Sequence, residues 1–212
     1  MNLDNLGTVY GTLLNFRNEV EAWAPKMNEA PYNAPPKKPV LYIKTANTWS
    51  NDGAAISVPA SAPRVEIGAT IAMVMKAPGP VGGWLLMNDL SLPHASFFRP
   101  PVKFKCLDGF LGIGNTLLPH GADVDPSKFV LEVRINGDLK QTVQFRGLVR
   151  NAKQLLSDVS EFMTLRAGDA LMLGCDIGAD GRRPLAKVGD RIEISAPGFG
   201  TLTNTLVSEA SA

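Results

Sequence analysis

The segment from Lys128 to Phe145, "KFVLEVRINGDLKQTVQF", constrains the fold more than any other. Phe129, Leu131, Val133 and Ile135 alternate with polar residues, so one side of a strand is apolar and the other faces water. Asn136-Gly137 then supplies the two positive-φ positions of a tight type I′ turn. A hairpin with one apolar face must lay it on a second layer. The pattern therefore predicts an antiparallel sheet packed on one side.

The remaining segments extend this reading. Thr8 to Leu14 reads as a strand, and Asn15 is placed to cap the helix "FRNEVEAW", whose Phe16, Val20 and Trp23 recur at helical spacing. Prolines at 25, 31, 35, 36 and 39 predict a stiff, extended connection from Pro25 to Pro39. Val40 to Lys44 is a short buried strand, and "TANTWSNDGAAISVP" a turn followed by another. Val65 to Met75, "VEIGATIAMVM", reads as the longest clean strand. Ala77 to Asn115 is crowded with Gly and Pro and predicts short strands mixed with loops.

In "NAKQLLSDVSEFM", Ala152, Leu155, Leu156, Val159, Phe162 and Met163 fall on one helix face. Gly168-Asp169 and Gly189-Asp190 each form a turn that launches a strand, and "GFGTLTNTLV" completes a last hairpin. Strands dominate and the alternation of a doubly wound sheet is absent, so a β-rich α+β fold is expected. With 212 residues and no dividing linker, residues 1–212 read as a single domain.

Composition narrows the function classes. Apolar residues make up 45% of the chain, which excludes a disordered protein. The net charge is +1 with Lys and Arg scattered, so no nucleic-acid partner is expected. No apolar run approaches the roughly 20 residues that span a bilayer. The start, "MNLDNLGTVYG", lacks the basic and apolar segments of a secretory signal. Cys106 and Cys175 have no companions at metal-ligand spacing, so a cytoplasmic protein without disulfides is expected.

Several segments, read in order, carry a family resemblance: "LYIKTANT", "NDLSLPHASFFRPPVKFKCLDGF", "INGDLKQT", "LLSDVSEFMTLRAGDALMLG" and "VGDRIEISAPGFGTLTNTLVSE". From about Val9 to Glu209 the chain resembles the fumarylacetoacetate hydrolase family, most of all one half of a member that fuses two family domains. The resemblance implies a mixed β-sandwich roll with a few peripheral helices. It also implies action on 2-oxo or 1,3-dicarbonyl acids by C–C cleavage, decarboxylation or double-bond migration. Metal-bearing members hold Mg²⁺ with a Glu-x-Glu pair and the Asp of an Asn-Asp dipeptide, and the cation stabilises an enolate.

Asn88-Asp89 matches that dipeptide. Lys105 and Asp108-Gly109-Phe110 match the family's Lys-x-x-Asp-Gly-Phe run, and Arg99-Pro100 an Arg-Pro of the nearest members. Gly68 and Thr70, however, fall where the two glutamates would stand, Pro93 where an arginine would, and Glu19 at the position of the base histidine. No metal or other cofactor is therefore expected on this chain.

The resemblance makes Asp89, Lys105 and Arg99 candidate catalytic residues, and Lys44, Asp108 and His94 candidate substrate-binding residues. Several have a plainer alternative: Asp89 as a loop cap, Lys105 as half of a surface ion pair, Arg99 as a fork to backbone carbonyls, His94 as an exposed, idle loop residue; Glu19, too, could be part of a solvated helix face. Glu66 shares the strand face of Gly68 and Thr70 but lies about 6–7 Å too far along. His120 is a weaker candidate than His94. The implied partners are a small 2-oxo or 2-hydroxy dicarboxylic acid and either further copies of the chain or a homologous metal-bearing subunit. A catalytically silent structural subunit and an acylpyruvate-type hydrolase stand as alternatives.

Overall fold

The structure is a computed structural model that describes residues 5–96, 98 and 101–209. The chain opens with β1 (Val9–Leu13), α1 (Arg17–Met27), β2 (Val40–Lys44), β3 (Trp49–Asn51) and β4 (Ala55–Val58). The middle holds β5 (Val65–Glu66), β6 (Ala69–Met75), β7 (Val81–Asp89), α2 (Val102–Lys105) and β8 (Leu111–Pro119). Then come β9 (Val130–Ile135), β10 (Asp138–Gln144), α3 (Ala152–Ser160) and β11 (Ala170–Met172). β12 (Leu185–Ala186), β13 (Arg191–Ala196) and β14 (Gly200–Ser208) close the chain.

The β9–β10 hairpin forms as its alternation requires, turning through Asn136 at φ 53° and Gly137 at φ 87°. It joins a five-stranded sheet in the order β10-β9-β13-β14-β4. The second sheet has seven strands in the order β2-β1-β11-β6-β7-β8-β3. Leu131, Val133, Ile192 and Ile194 of the first sheet meet Ile71, Met73 and Leu86 of the second in the main core. The seven-stranded sheet curls, and its other face buries Val9, Val74, Leu85, Met87 and Met172 in a second apolar cluster. Burial on both faces explains why β6 reads as an unbroken apolar run instead of an alternating one.

Several local expectations are corrected. The strand predicted over Val65 to Met75 breaks at Ile67 and Gly68, and β5 pairs with β12 in a separate two-stranded sheet. Asn15 does not cap α1; its side chain bonds to the carbonyls of Arg150 and Leu173 and accepts from the Arg150 N–H, tying two distant segments together. Pro25 lies inside α1, in its last turn, where the carbonyl it leaves unbonded belongs to the exposed Glu21. The Gly-rich middle forms two nine-residue strands, β7 and β8, because glycines there serve close packing: a Cβ on Gly112 would overlap the Asn204 side chain. α3 stops at Ser160, which leaves Phe162 exposed instead of on the buried face. Among the described residues no helix is long and apolar enough to cross a membrane.

Candidate active site

Asp89 is the last residue of β7, and period two puts its side chain on the curled face with Leu85 and Met87. It is fully buried. Lys105, at the end of α2, donates to its Oδ2 at 2.6 Å, and the Tyr42 hydroxyl of β2 donates to the same oxygen. Lys44, the last residue of β2, holds its Nζ 3.0 Å from Oδ1. The Tyr42 ring reaches this position by lying on Gly11 of β1, where a Cβ would overlap the ring. Lys105 Nζ stands 4.8 Å from the centroid of that ring, a cation–π contact.

Hydrogen-bond accounting sets the charge of Lys44. Its Nζ donates to the carbonyls of Leu90 at 3.2 Å, Phe110 at 2.7 Å and Lys105. Carbonyls only accept, and three donated bonds need three hydrogens, so the group is an ammonium. Burial lowers its pKa, while Asp89 opposes that shift. Asp89 Oδ1 is thus in electrostatic contact with Lys44 but accepts no hydrogen bond from the described residues. Burial would raise the Asp89 pKa, yet Lys105 and Lys44 outweigh it and hold the carboxyl well below the usual range. Burial, reinforced by Asp89, pushes the Tyr42 phenol well above its ordinary value. The Cys175 thiol, 3.9 Å from Asp89 Oδ2, is pushed up to about 12 by burial and stays neutral.

Beside this cluster lies a cavity of about 370 Å³ whose wall includes Glu19, Trp23, Glu66, His94, Arg182 and Arg183. Glu19 is buried on α1, contrary to the solvated-face reading, because its two oxygens are both used inside. Oε1 accepts from Arg183 Nη2 at 2.9 Å, and Oε2 accepts from the Leu14 N–H at 2.7 Å. Leu14 sits at φ 57°, a conformation that a branched side chain rarely adopts, and this bond helps to hold it there. Burial raises the Glu19 pKa against the pull of Arg183. A larger cavity of about 630 Å³, beside Trp84 and His120, contains none of these groups.

The structure brings together Asp89, Lys105 and Lys44 and places His94 at the neighbouring cavity, stacked on Phe104 at 4.9 Å. Asp89 is not a loop cap and Lys105 is not a surface cation; both are fully buried at the ends of regular elements. Lys44 points into the cluster and not into the cavity. Asp108 stands apart, exposed and bonded to Asn47 at 2.6 Å. Glu66 belongs to β5 and lines the cavity, so it does not share a strand face with Gly68 and Thr70. Arg99 lies outside the described residues.

Three groups escaped the sequence reading: Tyr42, Cys175 and Arg183. Tyr42 was within reach of it, since period two puts it on the same side of β2 as Lys44. Nothing local marks Arg183, whose partner Glu19 is 164 residues away.

The three family ligand positions do not fit a hard divalent cation, which takes several oxygen donors. Gly68 offers no side chain, the Thr70 hydroxyl donates to the Gly174 carbonyl at 2.6 Å, and the Asp89 oxygens already face two ammoniums and a phenol.

The curled sheets and the site at the end of β7 define a fumarylacetoacetase-like roll. The chain belongs to the fumarylacetoacetate (FAA) hydrolase C-terminal family, which matches residues 8–207. It is 38% identical to the 4-hydroxyphenylacetate degradation bifunctional isomerase/decarboxylase of Escherichia coli, across 96% of this chain and 48% of that protein. The chain thus spans about half the length of this and similar curated relatives it matches. Solved structures share the fold. The 5-carboxymethyl-2-hydroxymuconate delta-isomerase of Mycobacterium smegmatis superposes with a TM-score of 0.78 at 24% identity, covering 98% of this chain and 81% of that one. A probable 2-hydroxyhepta-2,4-diene-1,7-dioate isomerase of Mycobacterium abscessus gives 0.80 at 22% identity, covering 99% and 78%.

Proposed function

We propose that this chain is a subunit of the 2-hydroxyhepta-2,4-diene-1,7-dioate isomerase / 5-carboxymethyl-2-oxo-hex-3-ene-1,7-dioate decarboxylase of 4-hydroxyphenylacetate (homoprotocatechuate) breakdown, working in the cytoplasm. The observation that carries this reading is the 38% identity, along 96% of the chain, to a protein named for both activities. The site is consistent with it. A cavity of about 370 Å³ suits a small dicarboxylic acid, and Arg182, Arg183 and Lys26 on its wall offer cations to the carboxylates.

In this reading Glu19 moves the proton. A carboxylate whose pKa is raised by burial suits that task better than an ordinary one. In isomerisation it takes the proton of the 2-hydroxyl, the electrons shift along the diene, and a proton is returned to its far carbon, leaving a 2-oxo-3-ene. In decarboxylation the electrons of the breaking C–C bond enter the 2-oxo system, CO₂ leaves, and the enolate is protonated. Arg183 faces the developing negative charge, with Asp89, Lys105 and Lys44 behind it. Arg99 enters as a candidate carboxylate clamp through the family resemblance alone.

A second reading, a silent subunit that completes a metal-bearing homologue, is favoured by one observation. Asp89, Lys44 and Lys105 are fully buried, their charges face one another, and none of them lines the cavity. Following the diene absorbance with the purified chain separates the two. Turnover by the chain alone selects the enzyme, and silence relieved by a second family subunit selects the structural partner. Inactivity under both conditions rejects the pathway assignment.

A further inference from the structure

We infer that the Asp89 site is closed to divalent metal ions, because Lys44 and Lys105 already hold the carboxylate that a metal would need. Both ammoniums reach one carboxylate, Lys105 Nζ at 2.6 Å from Oδ2 and Lys44 Nζ at 3.0 Å from Oδ1. Two positive charges against one negative leave the centre positive, so an arriving cation would be repelled as well as short of ligands. Neither lysine is loosely held. Lys44 spends its three N–H groups on backbone carbonyls, and the Lys105 ammonium is sandwiched between Asp89 and the Tyr42 ring. An incoming ion would have to expel a fully buried, fully bonded ammonium and would gain one carboxylate in exchange.

The backbone closes the site from the other side. The Asp89 N–H donates to the Gly68 carbonyl at 2.8 Å, and a Cβ on Gly68 would overlap the Asp89 carbonyl oxygen. A glutamate at that position is therefore sterically excluded as well as missing. Thr70 is committed to Gly174. Gly68 and Thr70 thus take away the metal's ligands, and Lys44 and Lys105 occupy the one carboxylate that is left.

The inference concerns charge and metal affinity, so it is tested without any assay of turnover. Mn²⁺ is titrated into the chelator-treated full chain, and the free-ion signal is followed by electron paramagnetic resonance. The expected result is an undiminished free signal for both the wild type and Asp89→Asn. One ion bound per chain in the wild type and lost in Asp89→Asn would overturn the inference. Thermal unfolding gives a second arm. Asp89→Asn and Lys105→Met should each lower the midpoint, with Asp89→Asn/Lys105→Met melting above Asp89→Asn because it strands one ammonium fewer. A double variant that loses the sum of the two single shifts would show that Lys105 does not balance Asp89, and would equally sink the idea. If the variants do not fold, the wild-type titration decides alone.

Discussion

Moved from water to the buried end of β7, the Asp89 carboxylate exchanges its hydration shell for two ammoniums and a phenol. Removing one partner of such a group leaves the others stranded, at a typical cost of about 3–5 kcal/mol. Asp89→Asn should therefore lower the urea stability of the chain by that order. The acid limb of stability carries the same signature. The folded pKa of Asp89 lies below its unfolded value, so in acid the unfolded chain binds more protons. Its contribution is full above about pH 4 and is lost as the pH falls towards the folded value. Urea midpoints measured against pH should fall through that window in the wild type and more shallowly in Asp89→Asn. Glu19 has the opposite sign: its raised pKa means that the ionised form costs stability, part of which returns on protonation. If Glu19 moves the proton, Glu19→Gln should cut turnover by about a hundredfold or more. The amide oxygen can still accept from the Leu14 N–H, so the fold should survive. Turnover within a few fold of wild type would remove Glu19 from the mechanism.

Elements matter here for where they deliver side chains. β1 and β2 pair directly, with Gly11 opposite Tyr42, and the missing side chain on Gly11 lets the phenol lie flat and point at Asp89. Gly11→Ala should lift the ring, break its hydrogen bond and cost about 1–3 kcal/mol by overpacking. Tyrosine fluorescence and denaturant titration together would register both effects. An ordinary structural device gives the contrast. The Asn151 side chain accepts from the Gln154 N–H at 2.9 Å at the start of α3 and does not line the cavity at Glu19. Asn151→Ala should cost about 1 kcal/mol and leave turnover unchanged.

At the scale of the molecule, β2 is an edge strand of the seven-stranded sheet, and its Ile43 is half exposed. Val102 of α2 is exposed on the same surface, because Cys106 joins the two: its N–H bonds to the Val102 carbonyl and its thiol to the Ile43 carbonyl. An unpaired strand edge flanked by apolar side chains invites a partner. Light scattering of the isolated chain should show a two-fold assembly, the commonest closed arrangement. Ile43→Lys should drive it towards monomer. A wild-type monomer that also ignores a homologous subunit would refute this.

Local chemistry was enough to determine the hairpin at Asn136-Gly137, the turns at Gly168-Asp169 and Gly189-Asp190, and the β-rich class, since each rests on neighbours in sequence. The Asn88-Asp89 and Lys105 motifs were legible as well, and so were the missing ligands at Gly68 and Thr70. What those groups do was decided only by the tertiary structure. The glycines of β7 and β8 read as loop formers because their reason for being glycine, close approach to another strand, leaves no trace along the chain. A solvated helix face stayed open for Glu19, at the family's base position, because Arg183 reaches it from 164 residues away. A surface ion pair stayed open for Lys105 beside its catalytic reading because burial of a lysine needs a partner, and Asp89 lies beyond a 15-residue gap in sequence but 2.6 Å away in space. Period and turn chemistry act over a few residues and can be read from the chain, whereas burial and charge pairing depend on which distant segments the curled sheet brings together.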